Sequence, residues 1–180
     1  MTEENLQAAL KKFEELVREQ SARSDRIKAE KEFLDYEKLD KIIIGVCGGD
    51  GIGPTITAQS RRVLEYLLAD EVKAGKVEFR NIDGLTIENR VKVMKAIPDD
   101  VMEELKQCHV ILKGPTHTPN EGDGYPNIES ANVAMRKALD LFANVRPVKV
   151  PDQGIDWTFF RENTEGGYAV GSKGVNVSDD

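Results

Sequence analysis

The run KIIIGVCGGDGIGP, from Lys41 to Pro54, decides the fold. Its isoleucines and valine are typical of a buried strand, and its glycines are typical of a tight turn. Pro54 fits the first turn of a helix, where a residue without an N–H is tolerated. A strand that leads through a turn into a helix begins an α/β unit, so this segment predicts an α/β protein with a mostly parallel sheet.

The same alternation continues along the chain to Val150. The pattern predicts helices from Pro54 to about Ala69, from near Pro98, and from Ser130 to about Leu139, and strands over 41–47, 77–82, 109–113, 142–150, 157–161 and 167–170. Residues 1–39 contain no Gly or Pro and have apolar residues at helical spacing. They predict one or two amphipathic helices, broken near residues 21–24.

Composition limits the class of protein and its ligands. A chain of 180 residues has room for one core and a small appendage, and its net charge of −7 argues against a nucleic-acid or membrane-surface role. Cys47 and Cys108 lack the spacing of a disulfide framework or a zinc site, so we expect reduced, buried thiols. With no apolar run of about 18 residues and no targeting signal, we expect a soluble cytoplasmic protein.

The glycines after the first strand invite a dinucleotide-binding interpretation, but their spacing does not match it. That fingerprint is G-x-G-x-x-G, whereas these glycines fall at 49, 51 and 53, with Asp50 between the first two. A tight turn close to a nucleotide, but not wrapped around its phosphates, fits better.

The next loop, Lys113 to Pro119, leaves the end of a strand, where open α/β sheets bind ligands. Its threonines, Thr118 among them, could contact a cofactor amide or a substrate carboxylate, or could belong to a rigid connection between two prolines. His117 has no partners at ligand spacing, so we interpret it as a polar loop residue and not a metal ligand.

The most informative segment for function runs from Ile128 to Lys137. With Ser130 as N-cap, a hydroxyl and free N–H groups would favour an anion, and Asn132 and Arg136 would share a face one turn further in. Arg146 lies in an apolar strand, where an unpaired charge would be costly, and Arg161 follows two phenylalanines. Singly, each is an ordinary cap or surface arginine; together they predict one cavity that captures a multiply charged acid.

Tyr168 follows two glycines and is either an exposed structural tyrosine or an acid that passes a proton to a carbanion or enol. Five segments, taken together, resemble the metal-dependent β-decarboxylating dehydrogenases, which act on isocitrate, isopropylmalate, homoisocitrate or tartrate. The segments are GDGIGP from Gly49, KGP with Thr118-Pro119, S-x-NVA-x-RK from Ser130, LDLFANVRP from Leu139, and RENTEG-x-Y from Arg161.

The resemblance implies a role for each of these residues. Arg136, Arg146 and Arg161 would clamp substrate carboxylates, Tyr168 would protonate the enol left by decarboxylation, and Thr118 would approach the nicotinamide. Polar groups at Ser130 and Asn132 favour isocitrate over isopropylmalate, whose enzymes place aliphatic residues there. His117 replaces the more usual threonine, which affects cofactor contact.

The resemblance also implies NAD or NADP, Mg2+ or Mn2+, a tricarboxylate substrate and a homodimer. It covers only the N-terminal part of the family's chain and predicts a helical extension (1–40), the first part of a large α/β domain (41–145) and the start of a small domain (146–180). Because the family's metal-binding aspartates and catalytic lysine lie beyond Asp180, we expect the chain alone to be inactive. The alternatives are an isopropylmalate- or homoisocitrate-type enzyme, a non-catalytic polycarboxylate-binding subunit of a split enzyme, and an interaction module built on residues 1–39.

Overall fold

The computed structural model describes residues 2–30 and 34–170. The helices and strands, in chain order, are α1 (Glu3–Ala29), β1 (Ile42–Cys47), α2 (Gly53–Leu67), α3 (Ala69–Lys73), β2 (Val77–Asn81), α4 (Ile87–Val93), α5 (Asp99–Lys106), β3 (Val110–Lys113), α6 (Ala131–Ala138), β4 (Ala143–Val150), β5 (Ile155–Glu162) and α7 (Gly167–Val170). Short 3-10 turns occupy Tyr36–Lys38 and Pro151–Gln153.

The chain divides into two compact units. The sheet unit is Asp35–Asp140, and the hairpin unit combines Met1–Leu34 with Leu141–Asp180. No helix in the described parts of either unit is long and apolar enough to cross a membrane.

The sheet unit is built on three parallel strands in the order β2-β1-β3. The central strand pairs on both sides, with Ile44 opposite Phe79 in β2 and opposite Val110 in β3. This confirms the predicted α/β class with a parallel sheet and flanking helices. Because the strands are parallel, their carboxyl ends lie along one edge of the sheet, and the loops that follow them meet there.

The core of the sheet unit lies between the sheet and two helices. Its buried residues are Cys47, Ile82, Leu85, Ile97, Val101, Leu105, Ala131 and Met135. Val101 and Leu105 are four residues apart on α5, and Ala131 and Met135 are four apart on α6, so each pair lies on one face of its helix. Full burial of a side chain such as Leu105 contributes about 2 kcal/mol, which fixes the rotation of each helix against the sheet.

The hairpin unit contains an antiparallel ribbon and the N-terminal helix. Strands β4 and β5 pair from Ala143 opposite Glu162 to Val150 opposite Ile155, and Gly154 takes a positive φ of 66° in the turn between them. Helix α1 begins after Thr2, whose side chain accepts the N–H of Asn5. The predicted helical extension is therefore confirmed.

Some local predictions were wrong. Helix α1 runs without a break through residues 21–24, because neither serine nor alanine there interrupts a helix as Gly or Pro would. Residues 167–170 form a helical turn and not the predicted strand. The pattern also missed α3 and α4, which have 5 and 7 residues and are too short to show a hydrophobic period.

Candidate functional site

The glycine-rich turn after β1 packs backbone against backbone at the carboxyl end of the sheet. A Cβ on Gly49 would lie 2.1 Å from the carbonyl oxygen of Pro115, and one on Gly114 would lie 2.0 Å from that of Gly48. The N–H of Asp50 donates to the carbonyl of Pro115 at 2.8 Å. These glycines allow the turn after β1 to contact the loop after β3, which supports the predicted tight turn.

Two charged residues that the sequence interpretation missed hold this loop. The carboxylate of Asp50 accepts the N–H of Ile87 at 2.8 Å and the N–H of His117 at 2.7 Å. The guanidinium of Arg90 donates to the carbonyls of Ala96 at 2.8 Å, His117 at 2.6 Å and Glu129 at 3.2 Å. Both backbone groups of His117 are therefore fixed by ionised side chains, and such bonds are the stronger class of hydrogen bond.

Arg90 is fully buried, with 0% of its surface exposed. Burial lowers its pKa, and the negative charge of Asp50 acts in the opposite direction. No sequence signal pointed to Arg90, because an arginine in a short helix is usually exposed. Asp50 was visible inside the glycine-rich motif, but its partners are separated from it by 37 and 67 residues.

Lys113 ends β3 within this region. Its ammonium donates to the carbonyl of Gly114 at 2.7 Å and to the hydroxyl of Thr116 at 3.2 Å. Desolvation by burial is the main cause that lowers the pKa of Lys113, and the nearby guanidiniums of Arg90 and Arg136 lower it further. Thr118, two residues after Thr116, is exposed.

His117 has a carboxylate partner that the sequence interpretation did not anticipate. Its Nε2 lies 3.0 Å from a carboxylate oxygen of Asp123, which also accepts the N–H of Asn120 at 2.8 Å. Both hydrogen bonds lower the pKa of Asp123, and the one from the N–H of Asn120 has the larger effect. Among the described residues no three His, Cys, Asp or Glu side chains form a group that could hold a metal ion.

Helix α6 and its N-cap carry three of the predicted residues, and Arg136 lies in the last turn of the helix. Ser130 is the N-cap, as predicted, but its side chain makes no capping hydrogen bond, so the helix does not use the hydroxyl. Asn132 and Arg136 are half-buried and share a face beside the buried face of Ala131 and Met135. Arg136 forms no ion pair with an acid in residues 2–30 and 34–170, so its guanidinium is available for an external carboxylate.

In the hairpin unit, Arg146 and Arg161 lie on one face of the ribbon. Arg161 pairs with Asn144, and Arg146 is two residues along β4 from Asn144, so the two arginines are diagonal neighbours. The Nε of Arg146 donates to the amide oxygen of Asn144 at 3.1 Å. Arg146 is exposed, which corrects the expectation of a costly charge in an apolar strand, because both faces of this ribbon are open in the described structure.

Tyr168 lies beside Arg161. The guanidinium of Arg161 donates a hydrogen bond to the phenol oxygen and lies 6.0 Å from the centre of the ring. The turn between them is held by the carboxylate of Glu162, which accepts the N–H groups of Thr164 and Glu165. Both backbone hydrogen bonds lower the pKa of Glu162, and the one from the N–H of Glu165 has the larger effect.

Helix α1 contacts the same turn. Arg23 donates to the hydroxyl of Thr164 at 3.2 Å and to the carboxylate of Glu165 at 3.0 Å. The hairpin unit thus places Arg146, Arg161 and Tyr168 near one another, and the sheet unit places Ser130, Asn132 and Arg136 along α6 and its N-cap. Thr118 lies in the loop after β3 of the sheet unit.

A family model described as isocitrate/isopropylmalate dehydrogenase matches residues 43–179, which is most of the chain. The chain belongs to the isocitrate/isopropylmalate dehydrogenase family. This confirms the resemblance found in the sequence motifs. The matched region contains all seven predicted site residues, and α1 lies outside it.

Other proteins of this family are similar to the chain. Isocitrate dehydrogenase (NADP) of Caldococcus noboribetus is 37% identical over 149 residues, which cover 72% of this chain and 31% of that protein. The enzyme of the same name from Archaeoglobus fulgidus is 39% identical over 141 residues, which cover 72% of this chain and 32% of that protein. Subunit 1 of the mitochondrial isocitrate dehydrogenase (NAD) of Kluyveromyces lactis is 35% identical over 127 residues, which cover 67% of this chain and 31% of that protein.

A crystal structure shows the same fold. The beta-decarboxylating dehydrogenase of Thermococcus kodakarensis, in its apo form, aligns with a TM-score of 0.54 and 31% identity, covering 69% of this chain and 35% of that one. The chain spans about a third of the length of the family members it matches.

Proposed function

We propose that this chain forms part of an isocitrate dehydrogenase and contributes carboxylate-binding groups for isocitrate. The reaction is the NAD- or NADP-dependent oxidative decarboxylation of isocitrate to 2-oxoglutarate, in a cytoplasmic homodimer. The observation that carries the substrate assignment is helix α6, where Ser130 caps the amino end without using its hydroxyl, Asn132 lies in the first turn, and Arg136 lies one turn further along.

The polar character of this helix end favours isocitrate over isopropylmalate. A carboxylate can accept hydrogen bonds from the Ser130 hydroxyl, the Asn132 amide and the Arg136 guanidinium. A branched alkyl group would leave these groups without partners, and each such group costs about 1–3 kcal/mol when it is desolvated. Two unpaired groups would therefore lower the preference for an alkyl substrate by roughly a factor of 100 or more.

Arg146, Arg161 and Tyr168 complete the proposed set. The two exposed guanidiniums on one face of the ribbon suit carboxylates of the substrate. The hydrogen bond from Arg161 orients the phenol oxygen of Tyr168, which is the group proposed to protonate the enol. A proton donor has to be oriented toward its acceptor, and this contact supplies that orientation.

The cofactor contact is assigned to Thr118. It is exposed, and the preceding residue is held on both sides by Asp50 and Arg90, so its position does not depend on a flexible loop. A nicotinamide cofactor, when bound, would supply the hydride acceptor for oxidation of the substrate alcohol. A divalent Mg2+ or Mn2+ would stabilise the enolate, but the described residues offer no group to hold it, so no step is assigned to the metal.

Turnover by a completed enzyme tests this proposal. The chain would be joined to the carboxyl-terminal remainder of the Archaeoglobus fulgidus relative, and kcat/KM would be compared for isocitrate and isopropylmalate. We expect turnover of isocitrate at least about 100-fold above that of isopropylmalate, and no turnover by the 180-residue chain alone. A preference for isopropylmalate would refute the substrate assignment.

A second candidate is a polycarboxylate-binding subunit that does not turn its ligand over. A protein named regulatory subunit 3 of the mitochondrial isocitrate dehydrogenase (NAD) of Arabidopsis thaliana is 35% identical over 127 residues. This candidate predicts that the completed protein binds isocitrate in calorimetry without reducing NAD or NADP. Substitution of Arg136 by Gln should abolish that binding, and Arg62→Gln, an exposed arginine on α2, is the matched control.

A further inference from the structure

Arg90 makes an unusual set of contacts for a buried charge. Its side chain is completely enclosed, and it donates hydrogen bonds to the backbone carbonyls of residues 96, 117 and 129. Burial of a guanidinium is costly unless its donors are satisfied. The three carbonyls, with the nearby negative charge of Asp50, offset that cost.

Two of these carbonyls immediately precede proposed ligand-binding residues. The carbonyl of His117 belongs to the peptide group that continues into Thr118, and the carbonyl of Glu129 belongs to the one that continues into Ser130. Because a peptide group is planar, fixing its carbonyl also fixes the direction of the next N–H and the start of the next residue. A single side chain therefore controls the start of both segments.

We infer that Arg90 is a positioning residue that sets the separation between the cofactor-contacting Thr118 and the substrate-contacting Ser130. The roles of those two residues rest on the proposed function, whereas the contacts of Arg90 do not. The Nη1 atom holds the first carbonyl and the Nη2 atom holds the second. Since the guanidinium is planar and rigid, the two loops cannot move apart independently.

Asp50 acts on only one of the two segments. Its carboxylate accepts the N–H of His117 and that of Ile87, and neither hydrogen bond involves residue 129 or 130. Loss of Asp50 should therefore disturb the Thr118 segment and leave the Ser130 segment in place. Loss of Arg90 should disturb both segments, which distinguishes the two residues experimentally.

The 180-residue chain, labelled with 15N, provides the test in two NMR measurements. The variants are Arg90→Lys, which keeps the charge but loses the planar fork, and Leu105→Ala, which weakens the core between the sheet and its helices without removing a hydrogen bond of Arg90. In Arg90→Lys we expect amide hydrogen exchange at His117 to rise at least about tenfold while the exchange at Ile44 in β1 is unchanged. In Leu105→Ala we expect the exchange at Ile44 to rise while the exchange at His117 is unchanged.

The second measurement titrates each protein with NADP+ and with isocitrate, and follows the amide signals of Thr118 and Ser130. Arg90→Lys should raise both dissociation constants at least about tenfold. Leu105→Ala, which has a purely structural effect, should leave both dissociation constants within twofold of the wild-type values. The inference is refuted if Arg90→Lys changes neither the exchange nor the affinities, or if Leu105→Ala weakens binding equally.

Two further outcomes remain decisive. If Arg90→Lys does not fold, Asp50→Asn takes its place, and it should weaken NADP+ binding at least about tenfold while isocitrate binding stays within twofold. Equal weakening of both ligands would contradict the division of roles between the two residues. If the wild-type chain binds neither ligand, hydrogen exchange at His117 alone decides the positioning role, and turnover by the completed enzyme decides the proposed function separately.

Discussion

Substitution of Gly114 by Ala tests whether the glycines at the sheet edge serve packing or phosphate binding. The added Cβ would lie 2.0 Å from the carbonyl oxygen of Gly48 and 3.1 Å from the Cα of Gly53. Ordinary C···O contacts are about 3.3 Å or longer, so the loop after β3 must move by about 1 Å. Gly114 has an ordinary φ, so this cost is steric and not conformational.

The magnitude follows from the contacts that such a movement breaks. The N–H of Gly114 donates to Cys47 at 2.8 Å, and the N–H of Asp50 donates to Pro115 at 2.8 Å. Each hydrogen bond contributes about 1 kcal/mol, and overpacking adds about 1–3 kcal/mol. We therefore expect a loss of about 3–5 kcal/mol in the free energy of unfolding of the sheet unit.

Hydrogen exchange measured by mass spectrometry on β1 peptides reports the stability of the sheet unit alone. A loss of about 3 kcal/mol or more accelerates exchange at least about 100-fold. The matched control is Gly51→Ala, where no atom lies within 4 Å of the new Cβ and only the φ of +57° is unfavourable. That strain costs about 1–2 kcal/mol. Exchange in Gly114→Ala no faster than in Gly51→Ala would refute the packing role.

Three further predictions concern single side chains. Burial raises the pKa of Cys47 from 9.0 to about 11, so Cys47 should not react with a thiol reagent at pH 8 until the protein is unfolded. As the pH rises from 9 to 11, the protein should lose about 3 kcal/mol in its free energy of unfolding, because the thiol ionises more readily in the unfolded chain. Urea unfolding of the wild type and of Cys47→Ala measures this loss. The pKa of Asp123 is lowered, so its stabilisation of the loop should be present above the unfolded value of 3.8 and lost at lower pH. The protection factor of the Asn120 amide, which is the intrinsic rate divided by the observed rate at each pH, should therefore fall as the pH falls, and Asp123→Asn should remove that dependence. In the completed enzyme, Asn132→Leu should lower kcat/KM for isocitrate at least about tenfold and leave that for isopropylmalate unchanged or higher.

The sequence predicted the parts of the fold that depend on local pattern. The run from Lys41 to Pro54 predicted a strand, a tight turn and a helix, and the structure has β1, the turn and α2 in those places. The helix from Ser130 was also predicted with its N-cap. These elements are long enough to show a hydrophobic period or begin with a residue that favours one position, so neighbouring residues alone determine them.

The positioning network could not be predicted in this way. Arg90 contacts the carbonyl of Glu129, which is 39 residues further along the chain, and Asp50 contacts His117 across 67 residues. Nothing near Arg90 marks it as buried, because the helix that carries it has 7 residues. The pairing of His117 with Asp123 is closer, at a separation of six residues, but a loop has no period that would align two side chains.

The contrast between paired and unpaired arginines supports the site in physical terms. In a chain with a net charge of −7, acids outnumber the bases that could neutralise them. Arg61 pairs with Glu65, and Arg80 pairs with Glu78. Lack of an acidic partner does not by itself indicate a site, because a solvated arginine on the surface also has none.

The neighbours of three predicted site residues, Arg136, Arg146 and Arg161, distinguish them from an ordinary solvated arginine. Each forms no ion pair with an acid in the described ranges, and each shares its face with neutral polar groups. Asn132 accompanies Arg136, whereas the side chains of Asn144 and Tyr168 accept hydrogen bonds from Arg146 and Arg161. Neutral acceptors orient a guanidinium without cancelling its charge, so its positive potential remains available to a ligand. An anion that arrives at such a group meets a charge that no neighbouring carboxylate cancels, whereas an arginine already paired with Glu or Asp is partly neutralised.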